Sequence, residues 1–498
     1  MVIKRTLHAL LLIQLTACAT VGPDFVKPDV ELPAVWSENR PEGSQNELHA
    51  SMLQQSQWWK LFNDPILNQL VETAWQQNNS LEIAGLRVLE ARAQLGIAQG
   101  LLFPQTQAAT GAATHVSPAG TSPNFSQYSL GIGAAWEMDF WGRFERGIES
   151  ADAAFMASIE GRNQVLLLLT AQVVDTYVVI RVNEELLRIA HENLALQQRS
   201  YGIAEVQYRN GSTSELDKQQ AKTLLLGTKA SIPGLEVAIR KARNALSVLL
   251  GKPPGAVDQL LQENRPIPSI PDQIEIGVPA DLLRQRPDVR QAEMLAMAQN
   301  ARVGLAEADL YPSFSLTGSI GLAAGGLAGG TFGDLFAGDA LSYSVGPSFV
   351  WPFLNYGRIK NNVRVQDARL QQALIQYRET VIQAAREVED SMASFVGTKE
   401  QATILAKAVT SAQRSNKLSM LRYKEGFSDY QRVLDSQKSL FNQQKNLTNA
   451  RGGAVRNLVS LYKALGGSWD APTELISEQS REDMEKRTDW GDLNVRER

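Results

Sequence analysis

The chain has 498 residues, a formal net charge of −4 and a single cysteine. This charge balance gives no indication of nucleic-acid binding, and one cysteine excludes a disulfide framework within the chain. The length allows more than one domain, and no apolar stretch reads as a transmembrane helix.

The N-terminus has the pattern of a secretory signal. Lys4-Arg5 supplies a basic region, and residues 7–15 form an apolar stretch that is too short to span a bilayer. The segment Leu15-Thr16-Ala17-Cys18 resembles the lipobox of bacterial lipoproteins. That resemblance implies a signal peptide over residues 1–17 and an acylated Cys18 as the first mature residue, whereas the alternative is a free thiol in a discarded peptide. Ala19 replaces the aspartate of an inner-membrane retention signal, so the resemblance points to the outer membrane.

Two proline-rich segments divide the remainder of the chain. The first lies in the predicted extended N-terminal segment, residues 18–64, and the second, residues 266–279, links two similar halves. These halves are residues 65–265 and 280–470. Residues 471–498 are charged and poor in apolar side chains, which predicts a flexible tail.

The two halves repeat the same residues at fixed separations. Tyr208 recurs as Tyr423 and Gly211 recurs as Gly426, each 215 residues later. Upstream matches are 208 residues apart, so a seven-residue difference is expected in one loop between residues 104 and 136. Further matches are Trp136 with Trp351, Gly142 with Gly357, Arg143 with Arg358, Leu250 with Leu465, and Gly96 with Gly304. Two copies of one unit predict a pseudo-symmetric structure.

Each half contains a pair of segments that alternate between apolar and polar residues. The pairs lie near residues 104–138 and 312–353, and the clearest segment has Leu341, Tyr343 and Val345 alternating with serine and glycine. This period predicts a strand with one apolar face and one face of small polar residues. It also fits the length and pattern of a membrane β-strand. A hairpin of a soluble β-sandwich is the alternative.

Very long helices follow each strand pair. Proline is absent from residues 143–208 and from residues 355–468, and apolar residues recur at steps of three and four. This spacing predicts helical hairpins with coiled-coil packing, and a helix of about 65 residues would be about 100 Å long. Gln, Glu, Arg and Asn fill the remaining positions and are interpreted as a solvated face.

Four strands per chain cannot close a barrel in a membrane. The two edge strands would expose unsatisfied backbone groups to hydrocarbon. Either the strands lie outside a membrane or several chains contribute to one barrel, and we favour a closed ring of subunits. The predicted fold class is an α+β membrane protein in which a shared β-barrel continues into a long α-helical coiled-coil barrel.

Several motifs, taken in order, resemble the TolC-like outer-membrane efflux proteins, in the lipoprotein branch often called NodT-like. The motifs are Val21-Gly22-Pro23-Asp24-Phe25, Trp58-Trp59, residues 278–283 and Arg286-Pro287-Asp288. The resemblance covers nearly the whole mature chain. It implies a homotrimer with a twelve-stranded barrel, four strands from each chain, in the lipid of the outer membrane and a helical tunnel in the periplasm.

The function implied by this resemblance is a passive exit duct of a tripartite efflux system. The implied partners are a periplasmic adaptor and an inner-membrane pump, and no cofactor is implied beyond the acyl groups on Cys18. The main alternative is a periplasmic adaptor lipoprotein, which also carries a helical hairpin. Adaptors have one hairpin, however, whereas each half of this chain has its own hairpin and strand pair.

The resemblance also implies a gate on the helix that follows Tyr423. Asp435 occupies a position that commonly carries a constricting aspartate, and Gln431 and Lys438 lie beside it in the sequence. Asp217 occupies a position from which a carboxylate can hydrogen-bond Tyr423 and latch the end of the tunnel. A ring of carboxylates would form a negative constriction that favours cations. The alternative for each residue is an ordinary solvated position.

Three positions depart from the gate pattern of relatives. Gln431 replaces a leucine, Arg432 replaces a second aspartate, and Ser428 replaces a locking arginine. These differences argue against a hydrophobic ring and a double acidic ring, and they predict a weaker latch. A surface ion pair between Lys438 and Asp435, worth about 0.3–0.5 kcal/mol, is the simplest alternative role for both residues.

Catalytic motifs are not found in the sequence. After removal of the signal, three histidines remain, at positions 49, 115 and 191, and none belongs to a His-Glu-x-x-His pattern. There is also no Gly-x-Ser-x-Gly nucleophile turn. The chain is therefore expected not to be an enzyme.

Overall fold

The chain forms the same run of elements twice. The computed structural model describes residues 20–31, 57–120, 123–263, 265–270, 280–326, 330–467 and 474–491. Its elements are α1 (Pro65–Gln77), α2 (Asn79–Gly100), β1 (Thr106–Val116), β2 (Phe125–Met138), α3 (Arg143–Arg209), α4 (Glu215–Leu249), α5 (Pro287–Ala308), β3 (Ser313–Gly325), β4 (Leu341–Val350), α6 (Arg358–Lys424), α7 (Tyr430–Ala464) and α8 (Glu478–Glu485). The signal peptide, Cys18 and most of the predicted linker lie outside the described residues.

The duplication extends to the lengths of the helices. The first copy runs from α2 to α4 and the second from α5 to α7. Helices α3 and α6 have 67 residues each, and α4 and α7 have 35 each. Short 3-10 helices lie at Trp58–Phe62, Ala280–Gln285 and Phe332–Phe336. The predicted internal duplication is therefore confirmed.

The chain divides into two compact units. The sheet unit contains Arg87–Ile159, Gln291–Glu379 and the N-terminal segment up to Asp29. The hairpin unit contains Val30–Leu86, Glu160–Arg290 and Thr380–Arg498. Each unit is described separately below.

The strands form one antiparallel sheet in the order β1-β2-β3-β4. Ile132 lies opposite Ile320, which in turn lies opposite Tyr343, on an apolar face. Other large exposed side chains on this face are Leu130, Trp136, Leu316, Val345 and Phe349. On the opposite face, the Ser319 and Ser344 hydroxyls are 2.9 Å apart. The predicted α+β fold with four strands per chain is confirmed.

The seven-residue difference between the copies arises at two places, which corrects the expectation of one loop. Strands β1 and β3 begin at residues 106 and 313, 207 apart, whereas α2 and α5 end at residues 100 and 308, 208 apart. Gln105 is the extra residue in the first copy, and its side chain bonds both backbone groups of Glu137, at 2.7 and 3.0 Å. From β2 and β4 onward, equivalent residues are 215 apart. The connection between β3 and β4 is therefore eight residues longer than the connection between β1 and β2.

The first described residues dock onto the sheet unit. Arg146 donates hydrogen bonds to the carbonyls of Val21 and Gly22, both at 3.2 Å, and to the carboxylate of Asp24 at 2.9 Å. Gly22 has a φ of 93°, and a Cβ at this position would lie 2.3 Å from the Cα of Gly304. Only glycine fits this conformation and this approach. The motif at residues 21–25 is thus a docking segment.

In the hairpin unit, Arg286 joins three elements. Its side chain is buried and donates to the carboxylates of Asp288 at 2.7 Å and Glu387 at 2.8 Å. It also donates to the carbonyl of Ala464 at 2.6 Å, which satisfies an otherwise unpaired group at the end of α7. This contact explains the Arg-Pro-Asp motif between the two copies.

The equivalent helix end in the first copy is capped by different chemistry. Asn78 donates to the carbonyl of Leu249, the last residue of α4, at 2.9 Å. Leu249 and Ala464 are 215 residues apart, and Asn78 and Arg286 are 208 apart. The duplication has therefore kept the position of the cap while its side chain has changed.

Helix α3 contains a stretch that is long and apolar enough to cross a membrane by length and composition. The expectation of no such stretch is therefore wrong. Of its most apolar window, 61% is buried inside the chain, and Val173, Tyr177 and Ile180 are fully buried. A buried core helix has the same composition as a membrane span, and this helix is apolar because it is buried.

Residues 474–491 differ from the flexible tail expected over 471–498. Ser477 and Ser480 both donate hydrogen bonds to the Glu82 carboxylate, at 2.5 and 2.6 Å, and α8 begins between them. These hydroxyls lower the pKa of Glu82. Ile476 and Met484 are buried. Two apolar anchors and two hydroxyls are enough to dock a segment whose overall composition is charged.

Candidate functional site

Both helical hairpins turn through a glycine with left-handed backbone. Gly211 has a φ of 70° and Gly426 a φ of 77°. Each donates its N–H to the tyrosine carbonyl three residues earlier, that of Tyr208 at 3.0 Å and that of Tyr423 at 3.1 Å. Glycine adopts this conformation without strain, and it commonly ends helices. The repeated tyrosine and glycine therefore mark the two hairpin ends.

A buried aromatic pair packs the hairpin ends together. The rings of Tyr423 and Tyr430 lie 5.0 Å apart in a cluster with Val433 and Leu434. The hydroxyls of Tyr430 and Ser200 are 2.7 Å apart, which links α7 to α3. Burial raises the pKa of Tyr430 to about 12. The sequence analysis did not single out Tyr430, although an aromatic residue at the start of a helix is a visible signal.

Asp217 lies near Tyr423 but does not bond to it. Its carboxylate accepts hydrogen bonds from the hydroxyls of Thr213 at 2.7 Å and Ser214 at 2.8 Å. It also accepts from the backbone N–H of Ser214 at 3.3 Å, while the Asp217 N–H donates to the Ser214 hydroxyl at 3.2 Å, which completes a capping box at the start of α4. The Tyr423 hydroxyl is buried and has no hydrogen-bond partner. Burial raises its pKa, and the negative charge of Asp217 adds to that shift. The bond that the resemblance implies is therefore not formed in this structure, where Oδ2 of Asp217 takes part in helix capping.

The three predicted gate residues lie along one side of α7 and are exposed. Gln431 donates to the Asp435 carboxylate at 3.0 Å, as residues four apart on a helix can. The structure gives no ion pair between Lys438 and Asp435, and the bond to the Asp435 carboxylate comes from the amide of Gln431. An exposed carboxylate with a fixed orientation is suited to attracting cations from solution.

Gln431 and Lys438 also line a groove of about 620 Å³ between α4 and α7. Leu216 and Thr223 of α4 face them across it. Asp435 does not line this groove. The structure therefore brings Gln431 to both Asp435 and the groove, whereas Lys438 lines the groove without an ion pair to Asp435.

A layer of buried amides lies further along the hairpins. Gln197 of α3 is 1% exposed and Gln437 of α7 is fully buried, and neither amide has a hydrogen-bond partner. Nearby, Asn193 donates to Gln444 at 2.8 Å. The interpretation of such residues as a solvated face is therefore wrong here. Gln437 comes four residues after Val433 in the core stripe, which is the signal that could have identified it.

In the part of the chain that the structure describes, no group of three or more His, Cys, Asp or Glu residues is arranged to hold a metal ion. The candidate site consists of the carboxylates, amides and tyrosines described above.

Comparison with known proteins gives consistent matches along the chain. The family model described as outer membrane efflux protein matches residues 70–252 and 278–467. The solvent efflux pump outer membrane protein SrpC of Pseudomonas putida is 31% identical over 471 residues, covering 93% of this chain and 98% of that protein. The cation efflux system protein CusC of Escherichia coli is 30% identical over 458 residues, covering 91% and 96%.

A solved structure extends the similarity to the fold. The outer-membrane channel OprN superposes with a TM-score of 0.83 at 31% sequence identity. The match covers 91% of this chain and all of that one.

Proposed function

Because the chain belongs to the outer membrane efflux protein family, we propose that three copies form the exit duct of a tripartite efflux system. The chain is an efflux channel protein of the outer membrane, and the comparisons do not support the adaptor alternative. In our proposal, an inner-membrane pump supplies the energy, a periplasmic adaptor connects pump and duct, and the duct itself is passive. Members of the family are channel proteins rather than enzymes.

The two-faced sheet with two open edges is the observation that carries this proposal. One face exposes large apolar side chains such as Ile132 and Tyr343, and the other carries hydroxyls. A lipid-facing barrel requires an apolar outer band and no free edges. Joining β1 of one chain to β4 of another removes the edges, and three chains then give twelve strands.

The inner face of this barrel would be uncharged over most of its height. The four strands contain a single acidic residue and no lysine or arginine. That residue, Glu137, lies near the end of β2 and pairs with Arg143 at 3.1 Å. A wall of hydroxyl, glycine and alanine groups does not discriminate by charge, so cargo selection is left to the gate and the partners. Relatives named for solvents and for cations are consistent with such a wall.

Detergent dependence tests the proposal directly. The mature chain carrying Cys18→Ala is expected to remain insoluble without detergent and to purify from detergent as a trimer, because the sheet exposes its apolar face regardless of the lipid. Analytical ultracentrifugation in detergent would measure the mass of the assembly. A mature Cys18→Ala chain that is monomeric and soluble in plain buffer would refute the exit duct.

Lipid labelling tests the anchor. Cys18→Ala is expected to abolish incorporation of radiolabelled palmitate, because the cysteine thiol is the proposed site of acylation. Thr20, two residues later, hydrogen-bonds Glu145 at 2.9 Å in the sheet unit, so the anchor would lie close to the docked segment. Ala19→Ser serves as the control that keeps the thiol. Labelling of the Cys18→Ala protein would show that the lipobox interpretation is wrong.

A further inference from the structure

Two arginine side chains meet in the interior of the hairpin unit. Arg181 of α3 is fully buried, and it donates to the carboxylate of Glu184 at 2.6 Å. Arg243 of α4 donates to the other oxygen of the same carboxylate at 2.9 Å. Both guanidiniums also donate to the segment that follows α4, Arg181 to the carbonyl of Glu263 at 3.1 Å and Arg243 to that of Leu261 at 3.0 Å. The two positive charges are therefore held at one place.

A third guanidinium reaches the same place from the segment after α4. Arg265 lies 3.6 Å from one carboxylate oxygen of Asp64. The other oxygen accepts from the Tyr177 hydroxyl at 2.5 Å, and the guanidinium of Arg181 lies 4.9 Å from the centre of the Tyr177 ring. Asp64 and Tyr177 thus connect Arg265 to Arg181. We call the three residues Arg181, Arg243 and Arg265 the arginine cluster.

The arginine cluster has more hydrogen-bond donors than acceptors. Nε and Nη2 of Arg181, and Nε of both Arg243 and Arg265, are buried without a hydrogen-bond partner among the described residues. A guanidinium has N–H donors and no acceptor, so these groups cannot satisfy one another. A buried donor on a charged group is costly to leave unpaired. These four nitrogens therefore call for an acceptor.

The charges around the arginine cluster favour an anion over a neutral acceptor. Its three guanidiniums face two buried carboxylates, those of Asp64 and Glu184. Two further carboxylates, those of Glu263 and Asp258, approach the cluster at 3.6 Å but are mostly exposed. Water screens exposed carboxylates, so they compensate little of the buried charge. One positive charge therefore remains in excess in the interior.

The start of α1 adds to this positive potential. Asp64 is the N-cap of α1, and its carboxylate accepts from the backbone N–H groups of Ile66 at 3.0 Å and Leu67 at 3.4 Å. The start of an α-helix carries a partial positive charge. The negative charge of Asp64 is therefore shared between the helix start and Arg265, which leaves that guanidinium only partly neutralised.

The protonation states of the buried groups agree with a positive site. Burial opposes the charge of Arg181, and its contacts with Tyr177 and Glu184 nevertheless raise its pKa. Burial, together with the hydrogen bond to Asp64, raises the pKa of Tyr177 to about 12. The tyrosine hydroxyl is therefore a donor at neutral pH, and the guanidinium beside it is a permanent cation.

We propose that the arginine cluster binds one small monovalent anion of the halide class. Arg181 forms the buried base of the site, and the partly exposed Arg243 and Arg265 form its outer side. One excess charge matches a monovalent ion, and a halide can accept from several N–H groups at once. Such an ion would join α3, α4 and the segment after α4. The site lies within one chain, so it does not depend on the ring of three chains.

Thermal unfolding in two salts tests the proposal. In detergent, the midpoint of unfolding is expected to rise with the concentration of sodium chloride, because a ligand that binds only the folded state stabilises it. Sodium gluconate at the same ionic strength is expected to have a smaller effect, since its anion is much larger than a halide. Circular dichroism would measure the midpoints. Equal midpoints in the two salts would overturn the proposal.

Matched variants locate the effect of chloride. Arg265→Gln is expected to raise the chloride concentration that gives half of the stabilisation about tenfold, the scale of one lost charge-assisted hydrogen bond. Arg265 is partly exposed, so its replacement leaves the buried contacts of Arg181 in place. The control is Arg188→Gln on α3, which removes an exposed arginine paired with Glu185 and Glu192. An equal chloride dependence in the two variants would contradict the assignment.

Bromide would show the position of the ion directly. Crystals soaked in sodium bromide are expected to give an anomalous diffraction peak beside Nη2 of Arg181. An ordered water at this place that bromide does not replace would overturn the proposal. A bromide peak without chloride-dependent stabilisation would mark an adventitious ion only and would also overturn it. Neither readout uses conductance, so a failure of the exit duct would be recognised separately.

Discussion

Replacing Arg286 with alanine is expected to lower the free energy of unfolding by about 3 kcal/mol, the scale of removing one partner from a buried ionic contact. Arg286 is 4% exposed, and its guanidinium donates to Asp288, Glu387 and the carbonyl of Ala464. Its loss leaves two carboxylates facing each other and a helix end without its cap. Thermal melting of the purified protein, followed by circular dichroism in detergent, would measure the effect.

The matched control is Arg290→Ala, four residues later in the first turn of α5. Arg290 is 55% exposed in its side chain and pairs with Glu160 at 3.2 Å. Exposed pairs of this kind contribute about 1 kcal/mol or less. Equal melting temperatures for the two variants would contradict the assignment of Arg286 as a structural junction, and a reduced trimer yield confined to Arg286→Ala would support it.

The double variant Asp435→Ala with Tyr423→Phe is expected to raise the single-channel conductance in planar bilayers. Asp435 is exposed and oriented by Gln431, and a ring of three such carboxylates would hold cations at the constriction. One charge about 4 Å from an ion is worth about 1 kcal/mol in water, or about fivefold in occupancy. The preference for cations, measured as a reversal potential in a salt gradient, is expected to fall in parallel.

The single variants distinguish the contribution of Asp435, the proposed gate, from that of Tyr423, the proposed latch. Because the Tyr423 hydroxyl forms no hydrogen bond in this structure, most of the increase is expected from the change at Asp435. Asp435→Asn keeps the shape of the side chain without its charge, and Glu425→Gln removes a carboxylate from the nearby turn. A double variant with unchanged current would eliminate the gate assignment. An increase confined to Tyr423→Phe would favour the latch instead.

The sequence predicted most of the fold because its patterns are periodic. Alternation in β4 sets the apolar face directly, since a strand places successive side chains on opposite sides. The equal lengths of α3 and α6 follow from a repeat that is visible in Tyr208 and Tyr423. Long helices without proline that carry a stripe of apolar residues have few ways to bury it other than packing along another helix.

The parts that sequence reasoning missed depend on single contacts. Burial of Gln437 depends on which helix faces it, and the residue type alone favours solvent. Docking of the last described residues depends on Glu82, nearly 400 positions upstream of Ser477. Asp217 carried a local signal, because Ser214 three residues earlier completes a capping box. The family pattern pointed to Tyr423 instead, and the latch between the two residues stays a prediction.

The exposed apolar face of the sheet has a consequence for how the channel is made. A newly exported chain presents Tyr343, Val345 and Phe349 to water, beside a strand edge able to pair with any extended peptide. Association with two further copies of the chain therefore competes with aggregation, and overproduction favours the aggregate when insertion of the sheet into the membrane is slow. The channel can therefore form only where assembly of the three chains is faster than this competing association.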